Sequence, residues 1–193
     1  MTGQFGYFRN FPRTRHQGFD AQWETTWGAL ALQASYSFLD ATYQAADTLR
    51  LGDRNVAVVP GTRIAGLPRH TLKLGADGQL GSAFTLGGDV QVVGRRGTLG
   101  NEDGLAEDGD GEAADLGLPG YAIVNLRASW KPAAGWELFA RLNNVADRRY
   151  RSFGALAGTV FDAEGNFTGV ERDAVFVAPG APRSAFVGVR LRF

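Results

Sequence analysis

Apolar and polar residues take turns along most of this chain. In the last stretch Ala185, Val187, Val189, Leu191 and Phe193 hold one parity, and Phe186, Gly188, Arg190 and Arg192 the other. A period of two is the mark of a β-strand, whose side chains point to alternate faces. The same alternation predicts strands over about 14–27, 29–43, 70–79, 84–95, 121–131, 136–150 and 183–193, and helical periodicity is nearly absent. On one parity lie Phe19, Trp23, Leu32, Tyr36, Leu74, Val90, Val124 and Leu142. On the other lie Asp20, Gln22, Glu24, Lys73, Asp89, Gln91, Arg127 and Arg141.

Tight and long connections alternate. W-G-A, Q-L-G-S-A and K-P-A-A-G are tight, whereas roughly 44–69, 96–120 and 147–182 are long. Consecutive antiparallel strands therefore put every short turn on one rim and every long loop on the other. Loops this long are rare in compact soluble domains, but the asymmetry is the layout of outer-membrane barrels. Trp27, Phe84, Trp130, Trp136 and Phe193 all fall beside the short-turn rim on the apolar parity. Together they make a ring suited to a membrane interface. Phe19, Tyr36 and Phe38 are the candidates for the opposite rim. Alternation reads the same for a soluble barrel turned inside out, so the rims and the aromatic ring favour the bilayer. With the charged parity toward lipid, Arg127, Arg141 and Arg190 would each cost about 2–4 kcal/mol near mid-depth.

Bulk properties exclude more than they assign. Lys+Arg and Asp+Glu each total 20, which gives no sign of a nucleic-acid partner. Cysteine is absent, so no disulfide framework or thiolate metal site is possible. The opening M-T-G-Q-F-G-Y-F-R-N lacks a basic region leading into an apolar one, and no secretory signal is read there. The acidic stretch 101–115 fails as a calcium loop, because Ala113 and Pro119 stand where Gly and Glu are needed. His16 and His70 lack metal-ligand spacing, and N-F-T at Asn166 reads as an unmodified surface sequence. No catalytic motif is present, so the expectation is no enzyme, no cofactor and no metal site.

Six stretches resemble one known family. They are R-T-R-H-Q-G-F-D-A-Q-W (13–23), S-Y-S-F-L-D-A-T-Y (35–43), P-G-T-R-I-A-G-L-P-R-H (60–70), P-G-Y-A-I-V-N-L-R-A-S-W (119–130), W-E-L-F-A-R-L-N-N-V-A-D-R-R-Y (136–150) and the closing segment 176–193. In this order they resemble the C-terminal part of TonB-dependent outer-membrane receptors. The resemblance implies uptake of a scarce small molecule such as a ferric siderophore across the Gram-negative outer membrane. It also implies outer-membrane lipid, the barrel-assembly machinery, a plug domain and the TonB complex as partners. Gly188, Leu191 and Phe193 match the spacing of the family's barrel-assembly signal, although Phe186 stands where a polar residue is usual. No ligand-binding residue is legible.

The expected fold is all-β, an antiparallel up-and-down transmembrane β-barrel segment forming one C-terminal partial domain without a plug. Family barrels have about 22 strands. An odd count also leaves the chain ends at opposite rims, whereas single-chain barrels are even. An open sheet in lipid would carry an edge penalty on the order of tens of kcal/mol. A piece of a larger barrel is therefore expected. Two alternatives stay open, an eight-stranded barrel using Gln4 to Asn10 and a soluble ligand-binding barrel.

Overall fold

The computed structural model describes residues 11–51, 54–105, 116–162 and 164–193. Its eleven strands are β1 (Thr14–Trp27), β2 (Leu30–Tyr43), β3 (Asp47–Leu51), β4 (Arg54–Val58), β5 (His70–Leu80), β6 (Phe84–Val93), β7 (Tyr121–Trp130), β8 (Trp136–Asn143), β9 (Arg151–Phe161), β10 (Phe167–Pro179) and β11 (Ser184–Leu191). Seven of them form one antiparallel sheet in the order β1-β2-β5-β6-β7-β8-β11, where the alternation placed the strands. Among the described residues β1 and β11 are its two edges, so the sheet is open. The small barrel's extra strand, Gln4 to Asn10, lies outside the described residues.

Register converts sequence parity into two faces. Gln22 pairs with Ser35, Ser35 with Lys73, Lys73 with Gln91 and Gln91 with Ile123. One row over, Trp23 pairs with Ala34, Ala34 with Leu74, Leu74 with Val90 and Val90 with Val124. Because a one-residue slip would swap every side chain to the other face, unbroken rows across the sheet fix one polar and one apolar surface.

Two expectations need correction. The strand expected over 136–150 ends at Asn143, because Asn144 and Asp147 adopt positive φ of 48° and 49° and turn the chain out of the sheet. The long loops also contain strands of their own: β3 pairs with β4, and β9 pairs with β10. In sequence the strands of the second hairpin are separated by D-A-E-G-N (162–166), a cluster of turn-forming residues between short β-branched and aromatic runs. That local signal was present in the sequence.

The sheet itself has no core. Buried apolar residues among those described are Ala41, Tyr43, Val56, Val58, Val93, Leu118 and Leu156, all at the long-loop rim. Val187, on the sheet's apolar face, is 85% exposed. An apolar surface left bare on this scale requires something other than water against it.

Candidate ligand-facing mouth and barrel wall

The three long connections are stitched into one body. Gly66 N–H donates to Gly97 O (3.0 Å), joining the first to the second. Leu99 N–H donates to Gly154 O (3.1 Å) and Leu156 N–H to Leu99 O (2.7 Å), joining the second to the third. The Arg96 guanidinium adds a 2.7 Å bond to Arg151 O. Leu118, 1% exposed, packs beneath Gly154, where an added Cβ would lie 2.8 Å from its Cδ2.

Asn144 holds the base of the third connection. It is 2% exposed. Its side chain accepts from Arg148 N–H (2.9 Å) and donates to the carbonyls of Arg148 and Ala181 (both 3.0 Å). Asp147 Oδ1 accepts from Arg183 N–H (3.0 Å), so N-N-V-A-D clamps both ends of the excursion that carries the β9–β10 hairpin. Arg148 is only four residues on, but the partners that close the excursion, Ala181 and Arg183, lie 37 and 36 residues away in sequence, beyond any local signal.

Between the first and second connections lies a cleft of about 480 Å³ lined by Arg63, Arg95, Arg96, Asn101 and Glu102, among others. Its lining thus includes three arginines and one glutamate. Arg96 is buried, with its guanidinium carbon 5.5 Å above the Tyr121 ring, and its Nε has no hydrogen-bond partner. Burial, and then the like charge of Arg69, push the Arg63 guanidinium below its ordinary pKa, partly offset by Asp40. It stays charged at any physiological pH. A cleft of this make-up suits a ligand rich in negative charge, because guanidinium pairs bidentately with carboxylate and phosphate.

Below the mouth the polar face forms a wall. Asp20, Gln22, Glu24, Lys73, Asp89, Gln91, Arg127 and Arg141 share it, as expected from parity. Arg127 donates to Asp77 (2.5 and 2.8 Å) and to Asp89 (3.1 Å), and Asn125 donates to Asp89 (2.8 Å). The fork crosses the strand at Gly87, where a Cβ would lie 2.9 Å from Arg127 Nε. A shallow cleft of about 340 Å³ on the same wall is lined by Gln22, Glu24, Gln33, Lys73, Asp89 and Gln91, among others.

The apolar face carries two aromatic rows. At the short-turn rim Phe84 and Trp130 stack at 5.6 Å with planes 4° apart, while Trp27 and Trp136 are exposed nearby in the same band. At the other rim Phe19 lies 5.7 Å from Tyr36 and 6.0 Å from Phe38. Phe38 in turn lies 5.3 Å from His70, and the Tyr36 hydroxyl bonds His70 Nδ1 at 2.7 Å. His70 thus belongs to the girdle. From Phe19 to Trp27 is ~26 Å along the strand, or ~20 Å along the normal after tilt, close to the ~25 Å apolar band of a transmembrane barrel.

Of the residues expected to carry the assembly signal, Gly188 lies on the polar face opposite Phe139. The Phe139 ring covers it, so that a Cβ there would fall 2.4 Å from the ring. Leu191 pairs with Trp136, and Phe193 lies fully exposed beyond the strand. Most of the acidic stretch 101–115 lies outside the described residues. Of the part described, Glu102 accepts from Gly100 N–H and Asp103 from Leu105 N–H. Asn166 is held by Asp162, and no metal-binding cluster occurs among the described residues.

A family model described as TonB dependent receptor-like, beta-barrel, matches residues 1–145. The chain belongs to the TonB-dependent receptor family. Over 195 aligned positions it is 27% identical to the metal-pseudopaline receptor CntO of Pseudomonas aeruginosa, covering 97% of this chain and 22% of that receptor. Its fold is similar to the siderophore receptor PiuA of Acinetobacter baumannii, with TM-score 0.67, 13% identity, and 92% and 22% of the two chains covered. It is likewise similar to the ferric-catecholate import receptor Fiu of E. coli K12, with TM-score 0.63, 15% identity, and 93% and 21% covered. The chain thus spans about a fifth of the length of the relatives it matches.

Members of the TonB-dependent receptor family are outer-membrane proteins of Gram-negative bacteria, and they are receptors and transporters rather than enzymes. Membership settles the ambiguity that alternation left. The apolar face meets lipid, the polar face meets the lumen, and a soluble barrel is excluded.

Proposed function

We propose that this TonB-dependent receptor chain forms part of the wall and mouth of a transporter that imports a small metal chelate, such as a ferric siderophore, powered by the TonB complex. The observation that carries this reading is the guanidinium-lined cleft at the stitched loop rim, set above a continuous polar wall. The relatives' names, a metal-pseudopaline receptor and siderophore receptors, support the ligand class. The sheet's unpaired edges bear on domain organisation. Each unsatisfied backbone group in lipid costs several kcal/mol, so both edges need partners. In this reading further strands close the barrel and a plug fills its lumen. Gly188, Leu191 and Phe193 then deliver the last strand to the barrel-assembly machinery, which captures the free β11 edge.

The test is uptake of radiolabelled ferric chelates by cells whose only intact receptor gene encodes this chain. Import of at least one chelate, abolished by collapsing the proton gradient or deleting TonB, is expected. Import unchanged by either treatment, or none for any metal chelate, would overturn the reading. Deleting Phe193 should lower the assembled level in the outer membrane, and an unchanged level would remove its assembly role.

A further inference from the structure

Three of the stretches that resemble the family meet at one point of the loop rim. Tyr121, from P-G-Y at the start of β7, packs on Tyr150, the last residue of N-N-V-A-D-R-R-Y, with ring centroids 4.3 Å apart. The Tyr150 ring in turn lies against Gly180, from the closing segment, so closely that a Cβ there would run into it. Gly180 N–H donates to Tyr150 O (2.8 Å), which fixes the two together. The Arg96 guanidinium sits over the Tyr121 ring, its carbon 5.5 Å from the centroid. Backbone and two aromatic rings thus form a platform that carries a cation. Arg96 lies in none of the six stretches, so the platform belongs to the shared pattern and the cation to this chain.

A buried cation ordinarily comes with a counter-ion. Arg96 is 9% exposed, and among the described residues no carboxylate pairs with it. Its Nη2 donates to Arg151 O, the Tyr121 face adds a weaker attraction, and Nε is buried without a partner. Taking a guanidinium out of water is unfavourable unless its charge and its donors are both met. A neutral donor would serve Arg151 O as well, so tying the third connection does not account for the charge. Arg96 also lines the mouth cleft, and the missing anion has its way in from there. Stacking occupies the face of a guanidinium, whereas a carboxylate binds along its edge, so the platform and a ligand use different parts of the same group.

We propose that Arg96 is the specificity-determining residue of the mouth cleft, where it anchors a free carboxylate on the periphery of the metal chelate. Tyr121 and Tyr150 are positioning residues that hold its guanidinium against the cleft wall. The cleft then selects chelates that carry a carboxylate not engaged with the metal over chelates of the same shape that lack one. This inference rests on the reading of the chain as part of a chelate importer.

The test uses the protein purified in mild detergent from its own outer membrane, with two matched probes. Both are the iron(III) complex of desferrioxamine B, its terminal amine capped either with succinate, which leaves a free carboxylate, or with acetate, which leaves none. Wild type should bind the carboxylate-bearing complex about a hundredfold more tightly. Arg96→Gln should erase that preference. Tyr121→Leu and Tyr150→Leu should each cut it about tenfold, and Tyr121→Phe and Tyr150→Phe, which keep the rings, should preserve it. Assembly of each variant is checked by its heat-dependent gel shift. Should Arg96→Gln fail to assemble, the Leu and Phe variants at Tyr121 carry the same test. A merely structural role for the rings would weaken both complexes alike and leave their ratio unchanged, which would overturn the proposal. Equal binding of the two probes by wild type, or an unchanged ratio in Arg96→Gln, would overturn it as well. If neither capped complex binds, iron(III) citrate against the neutral iron(III) acetohydroxamate makes the same comparison, and binding of neither would also overturn it. TonB-dependent import of both capped complexes at one rate would sink this inference alone. Import of no metal chelate would sink the transport reading beneath it.

Discussion

The sheet and the loop rim of this chain are stabilised in opposite ways. In the sheet the large apolar side chains point away from the protein and hardly any are buried; at the rim a small core is closed around Val56, Val58, Leu118 and Leu156. One region is held by its ladder of backbone hydrogen bonds and by lipid, the other by ordinary packing in water. The lesson is that exposure means different things at different heights in the same protein. Val187 at 85% exposure is no defect, because its solvent is hydrocarbon. A buried valine in β4 depends on neighbours, as it would in any soluble domain.

The largest expected effect breaks the sheet side of this contrast. Leu74→Arg places a charge on the outward face midway between the aromatic rows and should cost about 2–4 kcal/mol. Lys73→Gln, one residue away on the lumen face, should cost under about 0.5 kcal/mol. Unfolding from lipid vesicles in urea measures both, and similar values for the two would mean that the faces are misassigned.

The rim side breaks at Asn144. Asn144→Ala removes the three side-chain hydrogen bonds that tie Arg148 and Ala181, an expected cost of about 1–3 kcal/mol at about 0.5–1.5 kcal/mol per bond. The third connection should become protease-sensitive near Arg148 and Arg149 while the sheet keeps its gel shift. Unchanged cleavage would show that the clamp is not what holds the loop. Val56→Ala, in a fully buried position, should cost about 1.5 kcal/mol through lost apolar burial. The exposed Val187→Ala should cost clearly less in lipid, and equal losses would erase the comparison.

The smallest effect concerns acidity. Hydrogen bonds from the Asn166 side chain, and then from its backbone N–H, hold the Asp162 carboxyl below the usual carboxylate range. A depressed folded pKa contributes stability above the unfolded value, and that contribution is lost as pH falls through the folded one. Amide protection at Glu164 and Asn166 should therefore be flat from about pH 5 upward and decline only below about pH 4. Loosening of this tip between neutrality and pH 5 would contradict the assignment.

How much was legible depended on the range of the signal. Strand positions were readable because period two is local: each strand declares its own faces through residues such as Phe19 and Asp20, with no need of neighbours. The break after Asn143 was not, since Asn144 adopts its left-handed conformation only where Arg148 and Ala181 converge on it. The hairpin of β9 and β10 carried a readable turn at D-A-E-G-N but weak alternation on its flanks. The mouth cleft was invisible, because Arg63 and Arg95 are brought to one place only when Gly66 meets Gly97.

By itself the sequence determined an all-β chain, two faces of opposite polarity, and rims of unequal length with aromatics at set heights. These follow from backbone geometry acting over a few residues at a time. The tertiary structure alone decided that the long connections fuse into one body and that Arg63 and Arg95, distant in sequence, line one cleft. Those outcomes depend on register across many strands, where the position of each partner is set by every pairing between.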